Sequence, residues 1–477
     1  MSFCTAAVLI PLCAAPVLGL FGSPSFGARA NLGLTALVFL LTLCVFASPG
    51  QGLVHADALG MLFGALTGFV SLTTAVSNIG FAETLPARSR TRVYHAMSQV
   101  MLGTTLLGLY ADNIGLLWVA VEGATIAATL AVSLPRTASA LEAAWKYFIL
   151  GGVGIALALF GTMLTYLAAQ PALGPGFAAM SFAALAAHAS GLDGPLLTLA
   201  FVFLLFGYGT KAALVPLHGW LPDAYAEGPA PLTTAQSGLM LNVALLAILR
   251  FRHLLQSCPG AMRPGPFLLL LGLASILLCA FSMTRRRDTR RFFGFSSIEN
   301  SGVAVFAFGV GGAPAIFAGV LHLLLHTLLK AGLFQALIRA AEMRGDAGPG
   351  NYGFSHLRGM LASNKTVGWL LGGSIFALAG LPPSGLFCSE FLIISQTVQH
   401  DPWLSLPFGA GLLLCSIAII RNIGPLIFGP APAGAVGEKA GWGIGTVALH
   451  LVLVFWMAFV MPQSLYALLS GVAVAWQ

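Results

Sequence analysis

Residues 321–334, LHLLLHTLLKAGLF, set His322, His326 and Lys330 among side chains that are almost all hydrocarbon. The i, i+4, i+8 spacing predicts one stripe on a helix, with successive residues about 6 Å apart along the axis. That separation suits proton hopping through an intervening water. A histidine exchanges protons near neutral pH, and a lysine withdrawn from water can do so as well. The plainer alternative is that the histidines only hydrogen-bond neighbouring helices, and the third member of the stripe weighs against it.

The rest of the chain is of the same kind. Of 477 residues, 58% are hydrophobic and 8% charged, with a mean hydropathy of +0.90, far from the roughly 25% charged residues of a soluble domain. This composition predicts an integral membrane protein. Because a bilayer core of about 30 Å needs roughly 20 apolar residues per helix, the sequence reads as about fourteen spans. They fall near 3–20, 31–48, 55–79, 94–111, 113–134, 145–169, 196–220, 231–251, 266–284, 292–310, 314–340, 366–395, 404–428 and 441–463. The first lacks a basic start and runs on into further spans, so it reads as a retained helix and not a cleaved signal.

The net charge of +7 is explained by membrane orientation without invoking nucleic acid. Alternate loops share a side, and one side gathers Arg29, Arg88, Arg90, Arg92, Arg136, Lys146, Arg285, Arg286, Arg287, Arg290, Arg291, Arg339, Arg344, Arg358, Lys365 and Lys439. The other holds Arg250, Arg252 and Arg263. By the positive-inside rule the first side is cytoplasmic and both termini are periplasmic. The seven cysteines are scattered without a CxxC pair, which argues against an iron-sulfur or zinc site. No dinucleotide fingerprint or P-loop is present either.

With the loop charges assigned, Glu122, Lys211, His322, His326, Lys330, Glu390 and Arg421 are expected at membrane depth. A lipid-facing charge there costs at least about 2.5–3.5 kcal/mol, so each should face protein or a hydrated cavity. In GYGTKAALVPLHGWLPDAYAEGPAP, residues 207–231, Lys211 precedes Pro216; in LAGLPPSGLFCSEF, residues 378–391, Pro382 and Pro383 precede Glu390. Proline removes a backbone donor and frees carbonyls, and a broken helix bearing a charge in each half of a chain points to a transporter built from repeats. Glu122 is the lone charge of NIGLLWVAVEGATIAATL, residues 113–130, and Lys211 is its natural counter-ion.

Together KAALVPLHGWLPDA from Lys211, RRFFGFSSIENSG from Arg290, LHLLLHTLLKAGLF from Leu321 and AGLPPSGLFCSEF from Ala379 resemble the antiporter-like proton-channel family. Respiratory complex I, Mrp-type antiporters and group 4 membrane-bound hydrogenases share that family. Within it, the stretch beginning NIGLLWVAVEGATIAATLAVSLPRTASALEAAWKYFIL most resembles component F of hydrogenase-4 and its counterpart in formate-hydrogenlyase-type complexes.

The resemblance implies an all-α membrane fold with two inverted five-helix repeats, each with one broken helix. The segments would be N-terminal helices over 1–93, repeats over 94–252 and 266–428, and a C-terminal helix over 429–477. It makes Glu122 the partner of Lys211, assigns His322, His326 and Lys330 to a central hydrophilic axis, and makes Glu390 the terminal proton carrier. The lysine usual on the eighth span is replaced by Asn242, which binds water but carries no proton. His218, Asn242 and Arg421 remain as relay or supporting residues.

The implied function is a proton-translocating, non-catalytic membrane subunit working with other membrane subunits in a bacterial or archaeal inner membrane. Any iron-sulfur, nickel-iron or quinone site would lie in partner subunits. A free-standing or Mrp-type cation/proton antiporter, or an inorganic-carbon uptake subunit, is the alternative; a purely structural anchor is the third reading.

Overall fold

The computed structural model describes residues 2–85, 87–284, 286–345, 351–432, 441 and 443–476. Arg285, Lys439 and Gln477, which bear on the orientation argument, lie outside these residues. The chain is almost entirely helical. In the N-terminal part, α1 (Phe3–Phe21), α2 (Pro24–Cys44) and α3 (Ala58–Ser77) precede a one-turn α4 (Phe81–Thr84), and a small hairpin, β1 (Gly50–Gln51) with β2 (Val54–His55), joins α2 to α3. Next come α5 (Arg88–Tyr110), α6 (Ile114–Val132), α7 (Ala138–Leu173) and the short α8 (Phe182–Ala187). The middle holds α9 (Gly194–Lys211), α10 (Trp220–Glu227), α11 (Ala230–Gln236) and α12 (Leu239–Gln256). Then follow α13 (Gly265–Met283), α14 (Thr289–Val310), α15 (Ala313–Glu342) and a one-turn α16 (Met360–Ser363). The chain closes with α17 (Lys365–Leu378), α18 (Gly385–His400), α19 (Pro402–Ile423), α20 (Ile444–Phe459) and α21 (Gln463–Ala475).

Among the described residues ten helices are long and apolar enough to cross a membrane, or up to eleven if α20 and α21, bent by 73°, count as one span. The expected count of about fourteen exceeds this for identifiable reasons. The window 94–111 corresponds to α5, which opens with Arg88, Arg90 and Arg92, and 292–310 corresponds to α14, which carries Arg290, Arg291 and Glu299. The window 366–395 divides into α17 of 14 residues and α18 of 16, each shorter than the roughly 20 a crossing needs.

Polar caps set many helix starts. Asp57 accepts from the Gly60 amide at the head of α3, Asn113 from Gly115 and Leu116 at α6, and Ser384 from Phe387 at α18. Each satisfies an amide that the first helical turn leaves open. Burial picks out the centre of the molecule: the α11–α12 span and α15 are each 94% buried, against 33–44% for α1, α2, α13 and α19. α15 is therefore the hub, packed against α3, α11, α14, α17, α18, α20 and α21. An apolar helix that bears three proton-binding residues thus has protein on every side.

Ties at the ends hold this arrangement. Arg250 donates from Nε and Nη2 to Asp57 (3.1 and 2.9 Å), and Arg252 donates to the carbonyls of Phe308 and Trp476 (2.8 and 2.7 Å). Buried Arg290 donates to the carbonyls of Gly228 and Ala226 just past and within α10, and its guanidinium lies 4.1 Å from the Tyr352 ring. On the more exposed side of α10, Lys146 pairs with Glu142 (2.7 Å) and Asp223 (2.9 Å), and Arg291 with Asp223 (3.5 Å) and Glu227 (2.8 Å).

Candidate functional site: a buried polar axis between two helix interruptions

At the first interruption α9 ends on Lys211 and α10 starts at Trp220. Between them Ala213 takes φ +56° and Val215–Pro216 is cis. The gap is braced, because Trp220 Nε1 donates to the Thr210 carbonyl (2.8 Å), the Val215 amide donates to Ser275 Oγ (3.0 Å), and the Trp220 ring stacks on Tyr147 at 4.1 Å and 6°. Lys211 is fully buried. Its Nζ donates to Thr125 Oγ1 (2.8 Å) and lies 3.8 Å from Glu122 Oε2. Thr125 and Glu122 share a face of α6 at i, i+3. Packing around the ammonium is close: a Cβ on Gly151 of α7 would lie 2.9 Å from it.

The second interruption separates α17 from α18, with Gly380 at φ +63° and a cis Pro382–Pro383 bond. Ser416 Oγ donates to the freed Ala379 carbonyl (2.9 Å). Glu390, in the second turn of α18, folds its carboxylate over Gly380, where any Cβ would collide with it. Glycine is needed there twice over, for the left-handed backbone and for the space. Pro216, Pro382 and Pro383 are themselves exposed.

Between the interruptions runs the α15 stripe. The His322 and His326 rings are parallel within 2° and 6.4 Å apart. His322 Nδ1 is 3.0 Å from Ser389 Oγ, next to Glu390 in sequence, and the Nε2 atoms of both histidines are buried without a hydrogen-bond partner. Lys330 donates to the Phe293 carbonyl of α14 and lies 5.5 and 5.1 Å from the Phe293 and Phe334 rings. Asn242 Nδ2 donates to Thr327 Oγ1 (2.8 Å), which ties α12 to the same helix.

Of the expected residues the structure therefore assembles Glu122 with Lys211, His322 with His326 and Ser389, and Asn242 with the α15 axis. His218 stands apart in the first gap, half-buried, its ring 6.5 Å from Phe295. Arg421 is exposed in the last turn of α19. No group of three or more His, Cys, Asp or Glu residues among those described could hold a metal ion.

Sequence reasoning missed Glu299. It is 4% exposed on α14, accepts from Asn300 Nδ2 (2.7 Å), and interacts electrostatically with Lys330 and Glu390. A signal existed: Glu299 lies nine residues beyond Arg290 within RRFFGFSSIENSG, about 13.5 Å deeper along a helix. The arrangement is one buried anion–cation pair at the first interruption, a second centre of Lys330 and Glu299, two parallel imidazoles, and an acid at the second interruption. Such a series can hold and hand on protons, provided water fills the gaps between groups.

Comparison with known proteins agrees with this geometry. Residues 111–415, which include both interruptions and the axis, match the family described as NADH:quinone oxidoreductase/Mrp antiporter, TM. A hydrogenase-4 component F homolog of Methylacidiphilum infernorum (isolate V4) is 42% identical over 433 residues, which is 89% of this chain and 90% of the relative. The NADH-quinone oxidoreductase subunit N 1 of Symbiobacterium thermophilum is 30% identical over 82% of this chain and 78% of its own length. A chain of the membrane-bound sulfane sulfur reductase, an archaeal respiratory membrane complex, superposes with a TM-score of 0.86 over 98% of this chain and 96% of its own, at 22% identity. The chain belongs to the NADH:quinone oxidoreductase/Mrp antiporter transmembrane family, the antiporter-like subunits of membrane complexes.

Proposed function

We propose that the chain is a proton-translocating subunit of a hydrogenase-4-like or complex I-like assembly in a bacterial or archaeal inner membrane. Protons move between Lys211–Glu122 and Glu390 by way of Lys330, Glu299, His326 and His322, and the partner subunits hold the redox cofactors. The observation that carries the reading is the pairing of fully buried Lys211 with Glu122 at an interrupted helix. Removing one partner of a buried pair costs about 3–5 kcal/mol, so displacing Glu122 changes how firmly Lys211 holds its proton. Movement of the interrupted helix under the influence of a partner subunit therefore becomes a proton-affinity change at Lys211.

In this reading α5, α14 and the α17–α18 pair also cross the bilayer, which brings the spans to about fourteen. Two inverted five-helix repeats then occupy 94–252 and 266–428, between N-terminal helices over 1–93 and a C-terminal segment over 429–477, and both termini face the periplasm. An Mrp-type cation/proton antiporter is the second reading, favoured by the other half of the family's description. The test is proton uptake by sealed vesicles carrying the purified complex, driven by its redox partner without added sodium. Redox-driven uptake that needs no sodium supports the first reading. Sodium-dependent exchange without any redox partner supports the second and overturns the first.

A further inference from the structure

Away from the axis, a cavity of about 50 Å³ lies among α2, α3, α5 and the α11–α12 span. Its wall is largely apolar, with Met101, Leu102 and Leu232, but a polar cluster is set into it: Asn31 and Thr35 of α2, Ser71 and Thr74 of α3, and Gln99 of α5. Its inner wall is Ala235 and Leu239, which bracket the break between α11 and α12. At 10–15 Å³ per water, it has room for roughly three waters.

The wall contains buried polar atoms that the protein does not satisfy. Gln99, 1% exposed, donates from Nε2 to Asn31 Oδ1 (2.6 Å) and Thr35 Oγ1 (3.2 Å), but its Oε1 has no partner. Thr74 Oγ1 has none either. Outside the lining, but next to Ala235 in sequence, Gln236 is 2% exposed and both of its amide atoms are unpartnered. Each such atom costs about 1–3 kcal/mol unless water reaches it. A wholly apolar wall would stay dry; the unpartnered Gln99 and Thr74 oxygens argue for water here.

The position is equally informative. The cavity lies beside the middle of α2 and α5, α11 and the end of α3, with Gln99 about two or more helical turns from Arg88 and Arg90 at the start of α5. The α11–α12 break that forms its inner wall packs against α15. At the break, a Cβ on Gly238 would lie 2.5 Å from Thr327 Cγ2, so the two helices touch there, and Thr327 accepts from Asn242 beside His326. The cavity thus lies between the arginine-bearing helix ends and the break that touches α15 next to Asn242.

We propose that this cavity is a hydrated antechamber that brings protons from the arginine-bearing membrane surface to the α11–α12 interruption beside His326 and Lys330. The proton cargo rests on the function proposed above; the hydration does not. Each water accepts one proton and releases another, while Gln99, Asn31 and the threonines hold the chain of waters and keep their charge. Helices α2 and α3, outside both repeats, then help supply what a lysine on α12 would have supplied.

The test uses the assembled complex in vesicles. Ser71→Cys sets a thiol in the cavity wall, and Ag⁺, small and strongly hydrated, is applied before denaturation and alkylation. The introduced thiol is expected to be protected while native Cys279, fully buried on α13, is alkylated. An unprotected thiol in the Ser71→Cys variant, or equal protection of Cys279, overturns the hydrated cavity whether or not the complex moves protons. In complexes whose wild type translocates protons, Gln99→Leu is expected to slow translocation about tenfold, equivalent to about 1.4 kcal/mol in the barrier. An unchanged rate in an assembled Gln99→Leu complex overturns the role in delivery.

Discussion

The two interrupted helices look alike in backbone and differ in charge. Each has a short half-helix, a residue at positive φ and a cis X–Pro bond in the gap. At the first the charge is the last residue before the gap, fully buried, and held by Thr125 and Glu122. At the second the charge follows the gap, is only partly buried, and has no cation paired with it among the described residues; its nearby charge is another acid, Glu299. Similar breaks have thus been given different tasks. The first holds a charge by pairing it; in the proposed path its proton moves when the pair is disturbed. The second leaves an acid without a cation among the described residues; in the proposed path it exchanges its proton with water in the gap.

The sharpest way to break this contrast is at Lys211. Lys211→Arg keeps a charge that cannot be given up near neutral pH, so assembly should persist while proton translocation in vesicles is lost. Retained translocation would reduce the pair to a structural contact. Next in size, Glu122→Gln leaves a buried ammonium without its counter-ion. It should lower the thermal stability of the complex by about 1–3 kcal/mol, below the about 3–5 kcal/mol of a fully buried pair because Glu122 is 24% exposed.

Glu390→Gln should do the reverse, leaving stability nearly unchanged while translocation falls. A stability loss as large as that of Glu122→Gln would erase the difference between the two sites. A smaller effect is expected from Asn242→Leu, which removes one hydrogen bond to Thr327 worth about 0.5–1.5 kcal/mol, measurable as a modest fall in stability. Smallest is Arg421→Ala, an exposed change expected within about ±0.5 kcal/mol and without effect on translocation.

Much of this was legible from the chain. The i, i+4, i+8 spacing of His322, His326 and Lys330 could be read directly because helical periodicity is local. Both interruptions announced themselves through proline next to a charge. Less legible was what depends on neighbours. Glu299 belongs with Lys330 only once α14 lies against α15; it fell inside the expected span 292–310 but was not counted among the charges at membrane depth. Asn31, Thr74 and Gln99 are ordinary polar residues on three separate helices, and only packing brings them round one cavity. Arg421 shows the converse: it sits near the end of an apolar run, and the helix turns it to the outside of the chain, away from the polar axis.

The ties on α10 bear on how the first interruption can move. At its C-terminal end Arg290 is buried and donates to two carbonyls, whereas the pairs along its side involve Lys146, Glu142 and Arg291, all at least 36% exposed. Exposed pairs of that kind are worth about 0–1 kcal/mol and weaken with salt. The half-helix is therefore clamped at one end by a buried arginine, while its other end is held at Trp220 by one hydrogen bond and one ring stack. A rotation of α10 about its Arg290 end would be largest at Trp220, and the bond from Trp220 to the Thr210 carbonyl would pass it to the residue beside Lys211.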